Sequence, residues 1–417
     1  MTLRTVIVAG EPSGDLLAGR VIEGLRARTR RLELAGIGGP AMQAAGLQAW
    51  HSMDALSVFG YVDALRRAPG LIRTWRHTRR QAIAFRPDIF IGVDAPDFNL
   101  RLEEQLRRHG IPTVHFVGPS IWAWRYERIH QIRRAVSHML VLFPFEVDLY
   151  QREGIPVTYV GHPLAELIPM QADRAAARKF LQISDDVRVL ALMPGSRASE
   201  IRLLAPRFLQ AVQHLQEQDP DLHVLVPMVN PARRQQFESL LAQYAIRQCR
   251  VLIHPLNGAL SAATETARHP GATHQPARPS SAAPSWPVAW HAMAAADAVL
   301  VASGTATLEA ALFKRPMVIS YVLSPWMRRI MAWKSGQQAP SLPWVGLPNI
   351  LEREFVVPEL LQEAASPQAL AQATWAALTD KALIERVTER FTHLHQSLDR
   401  DTPQLAARAI LEVCHGA

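Results

Sequence analysis

Short apolar runs alternate with amphipathic stretches along the first half of the chain. Residues 6–9, 32–37, 89–93, 113–117, 139–143 and 157–160 are strand-sized and nearly continuous in apolar side chains. Between them, residues 15–28, 71–85, 100–109 and 125–134 carry helical periodicity. Strands that lack polar alternation belong to a parallel sheet covered on both faces. A second series of the same kind follows Pro169, with strands expected at 187–193, 222–227, 250–254, 298–302 and 317–322. Helices are expected at 174–181, 201–218, 231–244 and 306–313. The pattern predicts two α/β domains, 1–168 and 169–365, facing across a cleft, then an amphipathic helical segment over 366–417. Residues 257–287 break it. Rich in Ala, Ser, Thr, Pro and Gly, they read as a mobile surface insertion.

Composition narrows the class. Of the 417 residues, 48% are apolar, enough for full cores. No window nears the roughly 18 uninterrupted apolar residues of a membrane span, and the opening residues lack the pattern of a signal peptide. The expected location is the cytoplasm or a membrane surface. Two cysteines, Cys249 and Cys414, give neither a disulfide framework nor a zinc site. Basic residues number 45 against 37 acidic ones, and only four of the 45 are lysine. Arginine pairs bidentately with phosphate, so this balance fits nucleic acid, anionic lipid or a phosphorylated substrate.

Candidate chemistry gathers where strands end. Ala9-Gly-Glu-Pro-Ser-Gly-Asp15 joins a strand to a helix: Gly10 and Gly14 permit a tight turn, Ser13 or Asp15 can cap, and exposed N–H groups can bind phosphate. In Asp94-Ala-Pro-Asp97-Phe-Asn99, Asp94 closes a buried strand and is the candidate base, while Asp97 and Asn99 are substrate contacts or helix caps. Trp122 and Trp124 lie in one loop with Arg125, suited to a sugar or acyl surface beside phosphate, or in part to core packing. Gly195-Ser196-Arg197 opens another helix, where Arg197 offers a fork to a leaving diphosphate and Ser196 a cap or phosphate contact. Gly304-Thr305 repeats the glycine turn with Glu309 four residues on, placed for ribose hydroxyls or else for solvent. Asn349 can bond substrate through its amide. Asp219-Pro-Asp221 and Asp399-Arg-Asp401 read as surface turns rather than a metal-holding pair, so no metal and no cofactor are expected, and cations with helix N-termini must neutralise the leaving group.

Together these motifs resemble the lipid-A-disaccharide synthase family over nearly the whole chain. The matching stretches are Ala9-Gly-Glu-Pro-Ser-Gly-Asp15, Gly92-Val-Asp-Ala-Pro-Asp-Phe-Asn99, Pro119-Ser-Ile-Trp-Ala-Trp-Arg125, Phe143-Pro-Phe-Glu146, Gly161-His162, Leu192-Met-Pro-Gly-Ser-Arg197, Ser303-Gly-Thr-Ala-Thr-Leu-Glu309 and Leu347-Pro-Asn349. The resemblance implies a GT-B fold of two Rossmann-like domains, with C-terminal helices packing back and the sugar nucleotide on the second domain. It implies an inverting transfer from UDP-2,3-diacylglucosamine to 2,3-diacylglucosamine 1-phosphate, giving a β-1,6-linked disaccharide phosphate and UDP. Carried over, Asp94 activates the acceptor hydroxyl, Arg197 stabilises the departing diphosphate, and Glu309 and Asn349 contact the nucleotide. A homodimer exchanging C-terminal segments is also implied. The insertion departs from the family pattern.

With acylated substrates in view, one further segment gains meaning. Val58, Phe59, Tyr61, Val62, Leu65, Leu71, Ile72 and Trp75 alternate with or precede Arg66, Arg67, Arg73, Arg76, Arg79 and Arg80, and Pro69-Gly70 is expected to split the stretch in two. Apolar groups beside arginines suit the inner face of the inner membrane. Against a nucleic-acid-binding protein stand the dispersed arginines and the lack of a recognised module. Other UDP-sugar enzymes of the same fold and a non-catalytic lipid binder are the remaining rivals.

Overall fold

The computed structural model describes residues 2–56, 61–122, 126–253, 286–324 and 342–415, with only the backbone for residues 12 and 61–68. Two compact units divide the chain. The first is built mainly from Met1–Leu167 and Ser397–Ala417, the second mainly from Ile168–Gln337 and Pro343–Gln396.

In the first unit β1 (Thr2–Ala9), α1 (Pro12–Arg28), β2 (Arg31–Gly38), α2 (Pro40–Ala44), β3 (Gln48–Ser52), α3 (Tyr61–Phe85) and β4 (Ile89–Val93) follow in order. Then come α4 (Pro96–Arg108), β5 (Thr113–Phe116), α5 (Ile129–Ala135), β6 (His138–Val141), α6 (Phe145–Arg152), β7 (Val157–Tyr159) and α7 (Pro163–Leu167). The strands form one parallel sheet in the order β3-β2-β1-β4-β5-β6-β7. The chain winds outward from β1 in one direction, then returns beside it as β4, which opens a crevice at their carboxyl ends.

The second unit contains α8 (Arg174–Phe180), β8 (Val189–Met193), α9 (Ala198–Gln218), β9 (His223–Met228), α10 (Pro231–Leu241), β10 (Cys249–Ile253), α11 (Val288–Ala295) and β11 (Ala298–Ala302). It continues with α12 (Thr305–Leu312), β12 (Met317–Tyr321), α13 (Leu347–Glu352), β13 (Glu359–Leu361), α14 (Pro367–Thr379) and α15 (Lys381–Leu398). Its parallel sheet runs β10-β9-β8-β11-β12-β13, so the same reversal falls between β8 and β11. Helix α9 turns Ile201, Leu204, Phe208, Leu209, Val212 and Leu215 wholly into the core. Each such side chain contributes roughly 1.5–3 kcal/mol by leaving water.

The last helix, α16 (Thr402–His415), joins the first unit, where Ala406, Ala407 and Ile410 pack with Val21, Ile22 and Leu25 of α1. Gly24 makes the approach close, since a Cβ there would lie 2.2 Å from the carbonyl oxygen of Pro403. The stretch expected as one C-terminal segment is thus divided: α14 packs on β11 and β12 of the second sheet and most of α15 stays in that unit, while α16 packs on α1 of the first. Helix α3 also differs from expectation, because it runs unbroken through Pro69. A proline removes one N–H from the ladder and crowds the preceding turn, which bends or strains a long helix without necessarily ending it. Residues 257–285 of the expected insertion lie outside the described residues, whereas Trp286 and Pro287 lead into α11.

Candidate functional site

At the reversal of the first sheet, the loops after β1 and β4 meet. A Cβ on Gly10 would stand 3.1 Å from the Cβ of Ala95 and 3.2 Å from that of Leu56, so glycine sets how closely they approach. Asp94 (φ 52°) and Ala95 (φ 45°) both adopt the left-handed conformation. Such strain persists only where the surroundings over-determine it, and here Asn99 does so. Its buried amide donates to the carbonyls of Asp94 (2.8 Å), Val8 (3.2 Å) and Val93 (3.4 Å), while the Asp94 N–H donates to Phe116. Asn99 therefore neither caps α4 nor faces outward; it ties β1 to the turn that presents Asp94. Asp94 itself is partly buried. Asp97 is exposed and ion-paired with Arg128.

Ser13 is exposed in the first turn of α1, and Gly14 is buried with only ordinary contacts around its missing Cβ, the nearest 3.6 Å away. Neither Ser13 nor Asp15 caps α1, whose N-cap is Glu11 without a side-chain cap bond. Asp15 turns inward instead, and its carboxylate accepts the N–H groups of Gly39 (2.7 Å), Ala41 (2.9 Å) and Met42 (3.2 Å) at the start of α2.

Beside this loop, Trp122 is partly buried, edge-on to Phe145 at 5.3 Å, with a hydrogen bond to Glu146. Burial pushes the Glu146 carboxyl up to about 8, in spite of hydrogen bonds from Phe143, Trp122 and Leu142. His162, stacked on Phe143, is brought down to about 4 by burial. Trp124 and Arg125 lie outside the described residues.

In the second unit, Gly195 (φ 114°) makes room for Glu200, whose Cβ a side chain there would meet at 2.5 Å. The Glu200 carboxylate accepts the N–H groups of Ser196 (3.0 Å) and Arg197 (3.1 Å) and the Arg197 guanidinium (3.1 Å). Those backbone donors at the start of α9 are thus already engaged. The guanidinium remains 77% exposed. Across the β8–β11 reversal Gly304 (φ 155°) starts α12, with open space at its missing Cβ and Thr305 exposed beside it. Glu309 is partly buried rather than solvated. Burial raises its pKa, and a hydrogen bond from Trp290 opposes the rise.

Asn349 is fully buried. Its amide donates to the Val357 carbonyl and to Glu359, each at 2.8 Å, and accepts from the Val357 N–H. Glu359 also accepts the N–H groups of Val345 and Gly346, and Ser303 Oγ donates to the Val345 carbonyl. Asn349 and Glu359 thus anchor the Val345–Gly346 segment, which lies against the turn at Ser303.

On α3, Ile72 is 52% exposed and lines a surface hollow with Arg73, Arg76 and Arg80. Leu71 is partly buried. Trp75 packs against the core with Arg79 over its ring at 5.7 Å. Val58 and Phe59 lie outside the described residues, as do the side chains of Tyr61, Val62 and Leu65. No described helix is long and apolar enough to cross a membrane.

The structure therefore groups Ser13, Gly14, Asp94 and Asn99 in one unit, and Ser196, Arg197, Gly304, Thr305 and Glu309 in the other. Sequence reasoning missed Glu103, His115, Glu200, Trp290 and Glu359. Only Glu200 carried a local signal, as the acid three residues after a helix N-cap.

The chain matches the family model described as lipid-A-disaccharide synthetase over residues 5–265 and 287–410. It is 65% identical to the lipid-A-disaccharide synthase of Bordetella petrii over the whole of both chains. With that of Azoarcus sp. strain BH72 it shares 47% identity over 99% of this chain and 96% of the relative. Among solved structures, UDP-GlcNAc 2-epimerase from Neisseria meningitidis bound to UDP-GlcNAc has a TM-score of 0.60 at 11% identity, covering all of both chains. Anabaena HepE in complex with UDP and glucose has a TM-score of 0.54 at 12% identity, also over all of both chains. These last two share the fold, α/β of GT-B type with two Rossmann-like units. By the family model and the full-length relatives, the chain belongs to the lipid-A-disaccharide synthase family.

Proposed function

We propose that the chain condenses UDP-2,3-diacylglucosamine with 2,3-diacylglucosamine 1-phosphate, forming the β-1,6-linked lipid A disaccharide 1-phosphate and UDP. Asp94 is the general base and takes the proton of the acceptor's 6-hydroxyl. The hydroxyl oxygen bonds to the anomeric carbon from the face opposite UDP, and the bond to the diphosphate oxygen breaks with its electron pair going to UDP. Arg197 swings its exposed guanidinium onto that diphosphate, and the N–H groups at Gly304 and Thr305 add to it. Glu309 receives the ribose hydroxyls. Asn349 acts indirectly, by holding the segment against which the nucleotide turn is built. Ser13, Gly14, Asp97, Trp122, Trp124 and Arg125 border the acceptor.

The observation that carries this reading is the placement of Asp94 on a strained turn pinned by Asn99, at the reversal point of its sheet, in a chain of this family. UDP release from UDP-2,3-diacylglucosamine in detergent micelles with EDTA tests it, with and without the acylated acceptor phosphate. Acceptor-dependent release is expected, and unacylated UDP-glucosamine should support none. Folded protein that releases no UDP, or that prefers the unacylated sugar, sinks the proposal. The enzyme works at the inner face of the inner membrane, touching it through Ile72, Leu71 and the arginines of α3, as a dimer exchanging C-terminal segments. Binding to anionic vesicles and a doubled mass in solution are the expected results.

A further inference from the structure

Two ionisable side chains beside β4 have no role in the scheme above. Glu103 on α4 and His115 on β5 are wholly buried, with Glu103 Oε1 2.7 Å from His115 Nδ1. Space for the carboxylate is left by Gly92, where a Cβ would lie 2.1 Å from Glu103 Oε1 and 3.0 Å from the Asn99 Cβ. His115 is the register partner of Gly92, and Asp94 is sewn by its N–H to the carbonyl of the next residue on β5, Phe116. The pair, the pinning asparagine and the strained turn thus form one continuous arrangement.

Packing does not explain it. Apolar residues of similar volume commonly hold a core as well as a buried ion pair does, or better. Moreover, Glu103 Oε2 is buried without a hydrogen-bond partner, a state that costs stability and persists where it serves something else. Burial alone would lower the imidazole's pKa. The charge of Glu103, the hydrogen bond to it, the charge of Asp94 and a hydrogen bond to the Val117 backbone outweigh burial and raise it. The charged groups acting on the ring are Glu103 from α4 and Asp94 from the end of β4, while its β6 neighbour, Met139, is neutral.

We infer that Glu103 and His115 are a buried positioning pair for Asp94: Glu103 orients the imidazole beside Gly92, and the pair, together with Asn99, fixes the end of β4 that presents Asp94 to the acceptor. The pair touches neither substrate, and no proton leaves it during transfer. The inference rests on the reading of Asp94 as the base.

Steady-state kinetics on Glu103→Gln, His115→Gln and Asp94→Asn, with both acylated substrates in micelles, separate the two ideas. Each pair variant should lose about 10- to 100-fold in kcat, the usual cost of removing an outer-shell partner, with KM for both substrates unchanged. His115→Gln in the Asp94→Asn background should remove nothing more. Wild-type turnover by Asp94→Asn overturns the base and the pair together. An inactive Asp94→Asn beside folded pair variants of wild-type kcat overturns the pair alone, as does a kcat loss matched by a rise in KM. A second measurement needs no core substitution. In 15N-histidine NMR of the wild type, one imidazole should stay doubly protonated to higher pH than an ordinary histidine does. Its titration should move to lower pH in Asp94→Asn. Absence of that signal, or its indifference to Asp94→Asn, overturns the inference.

Discussion

Individual side chains in this protein divide between those that meet a ligand and those that hold another group in place. On the proposed reading Arg197 belongs to the first kind. Its side chain is 77% exposed and ion-paired with Glu200, so it can turn to a diphosphate at small cost. Arg197→Ala should lower kcat by about 100- to 1,000-fold, as the loss of a transition-state donor does, measured by UDP release at saturating substrates. Turnover near that of the wild type would reassign the residue. Glu146 belongs to the second kind, and its test is pH. With its folded-state pKa raised to about 8 from 4.5, the native protein holds an extra proton between those values, so stability falls as pH rises through that window. His162, lowered from 6.5 to about 4, works in the opposite sense: stability rises with pH up to 6.5. The two slopes oppose each other below pH 6.5, and above it the Glu146 slope is no longer offset. Glu146→Gln should match the wild type at low pH and then gain on it by about 1.4 kcal/mol per pH unit up to the folded pKa. Denaturant titrations across that range would show it, and a constant difference at all pH values would refute it.

The elements were legible where the hydrophobic pattern was long and clean, and obscure where it was short. Strands β4 and β11 were expected at the bounds observed, because five consecutive apolar residues flanked by polar turns leave little choice. Strands β3 and β13, of five and three residues, carry no such run and gain their structure from the neighbour they pair with. Pro69 misled for a related reason: a proline weakens a helix locally, yet the remaining backbone bonds of α3 and the packing of Trp75 and Ala82 on the core keep it whole. The contact of α16 with α1 is decided by one atom. Gly24→Ala should destabilise the first unit by about 1–3 kcal/mol, since its Cβ would strike the Pro403 carbonyl and neither helix backbone can retreat freely. Gly110→Ala offers a contrasting site, where the cost comes from a positive φ and not from contact. Chemical denaturation of both variants, followed by release of α16 to limited proteolysis in Gly24→Ala alone, is the expected outcome.

For the molecule as a whole, charge and surface give the clearest prediction. A net charge of +8 carried almost entirely by arginine favours anionic surfaces, and the hollow around Ile72 concentrates Arg73, Arg76 and Arg80 beside an exposed apolar group. Each arginine near an anionic bilayer is worth about 1 kcal/mol. Replacing Arg76 and Arg80 by serine should therefore weaken binding to vesicles containing acidic phospholipid by about 30-fold in flotation assays. Turnover on short-chain, water-dispersed substrates should be unaffected. Unchanged flotation would show that these arginines make no membrane contact.

The sequence by itself determined that two parallel sheets form and that glycine-bearing loops close their strands. Those features follow from period and local backbone freedom, which neighbouring residues carry within a few positions. The same locality made Asp94 and Arg197 visible as candidates at strand ends. Tertiary structure alone decided what each polar group bonds to. Asp15 left its own helix for α2, 24 to 27 residues away. Asn349 turned from an expected ligand contact into an anchor for Val357 and Glu359, and Glu103 met His115 beneath Gly92. A hydrogen bond needs its two atoms within about 3 Å and in line. Distances of that kind between remote residues exist only once the sheets have formed.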